Sequence, residues 1–134
     1  MADTVTSQTI QDGEKTAILK FTNESDGTGE ASVKKVDVSA LSKDSRGRSC
    51  SSVSISRIYW ACRGMGVDIE FDASTNVLAI PLPADSTGDE YYDLFSGIPN
   101  NAGSGVTGDI DFTTVAHSNG DAYSIILVLN KNYS

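Results

Sequence analysis

The residues in this sequence that come closest to a known chemical motif form a glycine-rich segment. Residues 103–108 are Gly-Ser-Gly-Val-Thr-Gly, which fits the G-x-G-x-x-G pattern of dinucleotide-binding loops. Such a loop holds pyrophosphate only where it follows a strand and opens a helix. Here it follows a turn-like sequence at residues 99–102 and precedes a strand-like one at residues 109–116. The segment therefore predicts a flexible loop between strands, with no cofactor.

Two groups of acidic residues are the candidates for a metal site. Residues 23–30 are rich in oxygen ligands, but the carboxylate spacing and helical frame of a calcium loop are absent. Asp109 and Asp111 lie two apart on one strand, where they would be placed to share a cation. Alternation with Ile110 and Phe112 explains them equally well as solvent-facing side chains. We predict a surface loop, solvent-facing acids and no metal.

His117 is the one histidine, and it would have to serve in any serine-hydrolase site. Ser118 and Asp121 are too close to it in sequence to orient it in the usual manner. One histidine and two cysteines also leave a zinc ion short of protein ligands. No pair among the 18 acidic residues is marked as catalytic by its local sequence. We predict that the protein is not an enzyme and has no catalytic residues.

Cys50 and Cys62 lack the pattern of a disulfide framework, and we expect two free thiols. The N-terminal sequence has no basic stretch followed by an apolar one, so we expect no secretory signal. No apolar run approaches the 18 or so residues that span a bilayer. The longest run covers residues 125–129. These features predict no membrane association.

The charge of the chain is negative and unevenly distributed. The net charge is -8, and residues 64–134 hold ten Asp or Glu against a single Lys. This balance argues against a nucleic-acid partner, whose phosphates need a basic surface. One basic stretch, Arg46-Gly47-Arg48, has Lys34, Lys35 and Lys43 nearby. Arg46 and Arg48 are candidate contacts for an acidic partner surface, although a solvated loop accounts for them as well.

Three aromatic residues have the chemistry to stack on sugar rings. Tyr91 and Tyr92 are adjacent and are our candidate glycan contacts. Trp60 lies inside the longest predicted strand, so packing in the core is its expected use.

Turn clusters of Gly, Asn, Asp and Ser divide the chain into short runs rich in Val, Ile, Thr, Tyr and Phe. No window has helical periodicity, and short strands at this spacing are typical of a sandwich or barrel. We place turns between these runs, one of them at residues 84–89. The predicted strands are residues 4–10, 15–22, 32–40, 52–62, 67–71, 76–82, 91–95, 109–116 and 123–130.

Several details follow from the pattern within these strands. The apolar face of the fourth strand switches between Ile55 and Ile58, which predicts a β-bulge near Arg57. Residues 73–76 suit a hairpin turn, and residues 39–44 suit one turn of helix. The last strand is apolar on both faces, which predicts a central position in a sheet.

Together these elements predict an all-β fold. We expect a single antiparallel β-sandwich domain over residues 1–134, jelly-roll-like, with eight or nine strands. Residues 1–12 are expected to form an N-terminal arm or edge strand. Such a segment can extend a neighbour's sheet, which makes Thr4, Thr6 and Gln8 candidate partner contacts.

Four segments of the chain resemble small structural proteins of tailed bacteriophages. They are residues 2–13 (ADTVTSQTIQDG), 20–30 (KFTNESDGTGE), 64–69 (GMGVDI) and 97–103 (GIPNNAG). The resemblance implies a virion component, assembled in the host cytoplasm, that carries no active-site residues. The expected function is a capsid decoration or cement protein that binds the major capsid protein or another virion protein. A homo-oligomer is expected, and a trimer would match the quasi-threefold points of a capsid.

Two alternatives stay open. One is a neck or tail component of the virion. The other is a carbohydrate-binding or host-adhesion module.

Overall fold

The computed structural model describes residues 3–92 and 97–133, which form nine β-strands and one short 3₁₀ helix, Val38–Ala40. All of the strand pairs are antiparallel. The strands are β1 Thr4–Asp12, β2 Thr16–Glu24, β3 Val33–Val36, β4 Cys50–Arg63, β5 Gly66–Phe71, β6 Val77–Leu82, β7 Thr87–Tyr91, β8 Ile110–Val115 and β9 Ala122–Tyr133.

The strands form two sheets with a jelly-roll order. Sheet A has the order β1-β2-β9-β4-β7, and sheet B has the order β3-β8-β5-β6. From β2 to β9 the chain passes to the other sheet at every connection except β5–β6. This is the winding of an eight-stranded jelly roll, with β1 added at the edge of sheet A. The predicted all-β, antiparallel sandwich is confirmed.

Strand β9 lies at the centre of sheet A, as its composition predicted. It pairs with β2 along one side and with β4 along the other. Tyr123, Ile125, Leu127 and Leu129 point inward and are buried. The opposite face, with residues such as Ile126, is only partly covered, so this central strand is fully buried on one face.

The core is closed by aromatic contacts between the sheets. Phe112 of β8 packs edge-to-face on Phe21 of β2, with ring centroids 5.3 Å apart, and on Tyr123 of β9 at 5.9 Å. Full burial of a side chain of this size contributes about 2–3 kcal/mol. These three rings therefore fix the two sheets against each other.

The predicted bulge in β4 is present. The register with β9 shifts between Ile55 and Arg57, so that both Ile55 and Ile58 face the core. Without the extra residue, strict alternation would turn one of these two isoleucines toward solvent.

Two predicted strands have different bounds in the structure. The predicted turn at residues 84–89 contains the start of β7, and Tyr91, the first residue of the predicted strand 91–95, ends β7. Residues 93–95 of that predicted strand lie outside the described residues. Strand β7 lacks apolar alternation and is held as an edge strand by pairing with residues 57–61 of β4. Strand β3 is shorter than predicted because Asp37 caps the 3₁₀ helix, its carboxylate accepting from the Ser39 amide.

Candidate functional site

Strand β1 exposes both of its faces at the edge of sheet A. Every residue from Thr4 to Gln11 is exposed, including Val5 and Ile10, which are about half exposed. Thr4, Thr6 and Gln8 lie opposite Glu24, Thr22 and Lys20 of β2, on one face of the sheet. Residues 4–11 carry no charge. The candidate partner contacts of the sequence therefore lie together along one neutral strand.

The other face of β1 opens onto the gap between the two sheets. Val5 and Ser7 line a groove of about 230 Å³ together with Phe21 of β2 and Val33 and Lys35 of β3. Since β1 and β3 are edge strands of different sheets, this side of the sandwich is open.

A buried lysine fixes the C-terminal end of β1. The Lys131 side chain is 0% exposed, and its Nζ donates to Asp12 Oδ1, the Gly13 carbonyl and the Ser42 carbonyl, each at 2.8 Å. The amine thus joins β9, the β1–β2 turn and the loop after the 3₁₀ helix. The edge strand is anchored at this end.

The loop with Arg46 and Arg48 is ordered around a carboxylate. Asp44 Oδ1 accepts from the amides of both arginines, and its Oδ2 lies 2.6 Å from Arg48 Nε. Lys34 and Lys35 are bound elsewhere, to Asp109 and Glu30. The structure therefore does not gather the basic residues of the sequence into one patch.

An aromatic ladder lies on the outer face of β4 and β7. The Arg57 guanidinium sits between Tyr59 and Tyr91, 4.6 and 4.7 Å from the two ring centroids, and binds Asp89 through two nitrogens. Tyr59 and Asp89 also line an open groove of about 470 Å³ on this face. We did not predict Arg57, Tyr59 or Asp89 as site residues. The two-residue spacing of Arg57 and Tyr59 after the bulge was the available signal.

Of the predicted glycan contacts, Tyr91 belongs to this ladder and is 57% exposed. Tyr92 is partly buried and packs against the core. Both tyrosines line a second groove of about 310 Å³, beside Ser56 and Val128. Of the two predicted glycan contacts, one ring is therefore exposed and the other is partly buried.

Trp60 packs against the core, as expected from its position in β4. It lies opposite the buried Ile125, and its Nε1 donates to Ser86 Oγ at 3.0 Å. A side chain on Gly88 would collide with the indole, so the glycine makes room for the ring.

The oxygen-rich loop at residues 23–30 is organised by Asp3. Its Oδ1 accepts from the amides of Asp26 and Gly29, and its Oδ2 accepts from Asn23 Nδ2. Burial acts to raise the pKa of Asp3, but these hydrogen bonds outweigh it and hold the pKa below its ordinary value. The loop therefore supplies donors to a carboxylate.

Glu30, at the end of this loop, is buried with three partners. Lys35 Nζ lies 2.5 Å from Oε2, while Tyr123 Oη and Asn23 Nδ2 donate to Oε1 at 2.6 and 2.9 Å. Burial, and then the Glu30 carboxylate, raise the pKa of Tyr123 above its ordinary range. The phenol therefore stays a proton donor and holds the loop on β9.

Asp109 and Asp111 are buried, at 5% and 3% exposure, so the prediction that they face solvent was wrong. Asp109 Oδ1 accepts from the Val38 amide, and its Oδ2 binds Lys34 Nζ at 2.9 Å. Asp111 Oδ2 accepts from Asn76 Nδ2, but Oδ1 has no hydrogen-bond partner among the described residues. Alternation placed both on the outer side of sheet B, where neighbouring segments cover them.

Asp111 has an acidic environment. Its burial, and then the neighbouring Asp72 and Glu70, raise its pKa to about 6. The Asp72 amide donates to the Asp109 carbonyl at 3.0 Å, which places Asp72 beside the opposed residues Glu70 and Asp111. Within residues 3–92 and 97–133, no three His, Cys, Asp or Glu side chains are arranged to hold one metal ion.

His117 is held by a threonine. Its Nδ1 lies 3.2 Å from Thr114 Oγ1, and its ring packs where a Gly29 side chain would stand. Asp121 Oδ2 accepts from the Ser118 amide. These contacts stabilise the loops at this end of the sandwich.

Cys50 and Cys62 are both buried and free, as predicted. They lie twelve residues apart on β4, which is about 40 Å along an extended strand. Burial raises the pKa of Cys62 to about 11. We expect both thiols to be inert in the folded protein.

The glycine-rich segment 103–108 lies before β8, where the sequence predicted a loop. Gly105 packs on Ser74 and Gly108 on the Ser51 carbonyl, and both have positive φ. The loop is therefore packed on the β5–β6 turn and on β4, and it does not open a helix.

Among the described residues, no helix is long and apolar enough to cross a membrane. No protein-family model matches the chain, and the search of curated proteins gives no match.

Proposed function

We propose that this chain is a non-enzymatic structural protein of a virion, most specifically a decoration or cement protein on the outside of a tailed-phage head. The observation that carries the proposal is strand β1, an uncharged edge strand exposed on both faces. The resemblance of four segments to small phage structural proteins supports the same role.

The contact mode we propose is addition of a partner strand to β1. The outer edge of β1 is unpaired within the described chain, and a free edge offers backbone donors and acceptors to a strand of the major capsid protein. The anchor at Lys131 presents β1 as a fixed template, so less conformational entropy is lost on binding.

The chain is proposed to assemble as a homo-oligomer, with a trimer as the favoured state, in the virion formed in the host cytoplasm. A cyclic trimer would place three β1 edges around one axis and allow contacts with a threefold arrangement of capsid subunits. Native mass spectrometry tests the state directly. A monomer at micromolar concentration would remove the trimer from the proposal but leave the edge contact.

Particle binding tests the role itself. Purified particles should carry tens to hundreds of copies of the chain, since decoration follows capsid symmetry. A handful of copies would favour the neck or tail instead. A density map of the particle should show the chain on the outer shell.

Proline substitution tests the edge. Alternate backbone amides of an edge strand face outward, so one of Thr6→Pro and Ser7→Pro blocks the free edge while the β1–β2 hydrogen bonds stay intact. The variant with the unchanged melting temperature should lose particle binding. If it binds particles as the wild type does, the edge contact is wrong.

A glycan-binding or host-adhesion function is the second candidate, and the Tyr59–Arg57–Tyr91 ladder beside the open groove favours it. Exposed aromatic rings stack on sugars, and the ion pair of Arg57 with Asp89 supplies polar groups beside them. Glycan binding that is lost in Tyr91→Ala but kept in Tyr91→Phe would support this function. No binding across a broad glycan array would remove it.

A further inference from the structure

The carboxyl pair Asp72–Asp111 is a second place where the structure leaves an interaction incomplete. Asp111 projects from β8 on the outer side of sheet B, and Asp72 follows the last residue of β5. Asp72 Oδ2 accepts from Thr107 Oγ1 at 2.7 Å, and Asp111 Oδ2 accepts from Asn76 Nδ2 at 3.0 Å. The buried Oδ1 of Asp111 has no donor within the described residues.

The charges around this oxygen make it a poor place for an unaccompanied carboxylate. Glu70 of β5 lies directly opposite Asp111, and like charges in that position repel. Lys34 of β3 lies opposite Asp111 on its other side, but its amine binds Asp109 instead. A buried negative charge needs a compensating group, and the described side chains supply none to Oδ1 of Asp111.

We propose that Asp72 and Asp111 bind a divalent cation of the Ca²⁺ type. The groups here are all oxygen donors, namely the two carboxylates and the nearby Thr107 hydroxyl, and hard cations prefer such ligands. Asp72 is partly exposed, so an ion would enter from its side and keep its waters there, with the buried Oδ1 of Asp111 as the inner ligand. Two carboxylates make a weak site, and we expect a Kd of about 0.1–1 mM, as in other low-affinity calcium modules.

The experiment is a thermal melt of the full chain, treated with chelator and dialysed, with and without 10 mM CaCl₂. An NaCl control matches the ionic strength. At pH 8 calcium should raise the melting temperature by about 5 °C. Asp111→Asn should lose this shift. Asp68→Asn is the matched control, since Asp68 lies on the same face of sheet B and outside the pair.

The outcomes separate clearly. A shift in the wild type and in Asp68→Asn that is absent in Asp111→Asn supports the site. No shift up to 20 mM calcium, or the same shift in Asp111→Asn, overturns it and leaves a carboxyl pair that shares a proton. Should Asp111→Asn fail to fold, Asp72→Asn gives the same comparison, with calorimetric titration of CaCl₂ as the readout.

Discussion

Glu30 and Asp111 are both buried carboxyl groups, but their surroundings are opposite. Glu30 lies between β2, β3 and β9 and receives one lysine amine and two hydrogen-bond donors. Asp111 accepts one hydrogen bond, from the Asn76 side-chain amide, and has two acidic neighbours. Its Oδ1 has no hydrogen-bond partner in the described part of the chain. Burial alone thus says little about a carboxyl group. Its partners decide whether it holds the fold together or is left available for a ligand.

The largest effect is expected from replacing Lys35, the lysine that forms the ion pair with Glu30. Lys35→Met should lower the free energy of unfolding by about 3–5 kcal/mol, because a buried carboxylate loses its cation. Urea unfolding at pH 7 measures the change. Lys43→Met, at an exposed lysine, should stay within about 0.5 kcal/mol. The double variant Lys35→Met/Glu30→Gln should recover much of the loss. If Lys35→Met changes the free energy of unfolding as little as Lys43→Met does, the stabilising role of the Lys35–Glu30 ion pair is wrong.

The second test acts in the opposite direction. Asp111→Asn should raise the free energy of unfolding at pH 7 in chelator by up to about 3 kcal/mol, from the shift of the pKa to about 6. The folded state holds the Asp111 proton more tightly than the unfolded state. The wild type therefore loses the stability contributed by this group as the pH rises from about 4 to about 6.

The pH dependence of the stability difference between the wild type and Asp111→Asn tests whether the charge of Asp111 causes it. Urea midpoints of the wild type and Asp111→Asn should differ most at pH 7 and converge near pH 4, where Asp111 is protonated in both the folded and unfolded chains. An equal difference at both pH values would show that burial of this carboxyl group carries no charge cost.

A third, smaller effect concerns the phenol that donates to Glu30. Tyr123→Phe keeps the core ring but removes one of the three partners, which should cost about 1–3 kcal/mol. Tyr91→Phe, at a largely exposed ring, serves as the control in the same denaturant titration. If the two variants unfold alike, the Tyr123 hydroxyl adds nothing to the network.

The smallest effect is expected at Lys34, the cation nearest to Asp111 in register. Its side chain is 49% exposed and its partner Asp109 also accepts an amide. Lys34→Met should therefore destabilise the fold far less than Lys35→Met does. The difference should shrink further in 1 M NaCl, as measured by thermal melts at two salt concentrations. A loss as large as that of Lys35→Met would erase the distinction between the two lysines.

The strands with clear alternation were predictable from the sequence. Residues 67–71 and 123–129 bury every second side chain, and the change of phase between Ile55 and Ile58 marked the bulge correctly. These features follow from the side-chain period of a strand, which local sequence contains.

The environment of the buried acids was not predictable in this way. Asp111 alternates correctly outward from Ile110 and Phe112, but Asn76, which is distant in sequence, binds its carboxylate there. Strand β7 was predicted at the wrong residues because backbone pairing to β4 holds it, and its residues carry no apolar pattern. In each case the decisive contact joins residues far apart in the chain.

The position of β9 also bears on how the protein is made. In sheet A, β2 and β4 are joined only through β9, which is synthesised after both of them. During translation the facing edges of β2 and β4 lack the strand that pairs with both of them, and the β1–β2 turn lacks the Lys131 amine. Sheet A therefore closes only after the ribosome has released β9, and until then β2 and β4 are exposed to the other proteins of the cell.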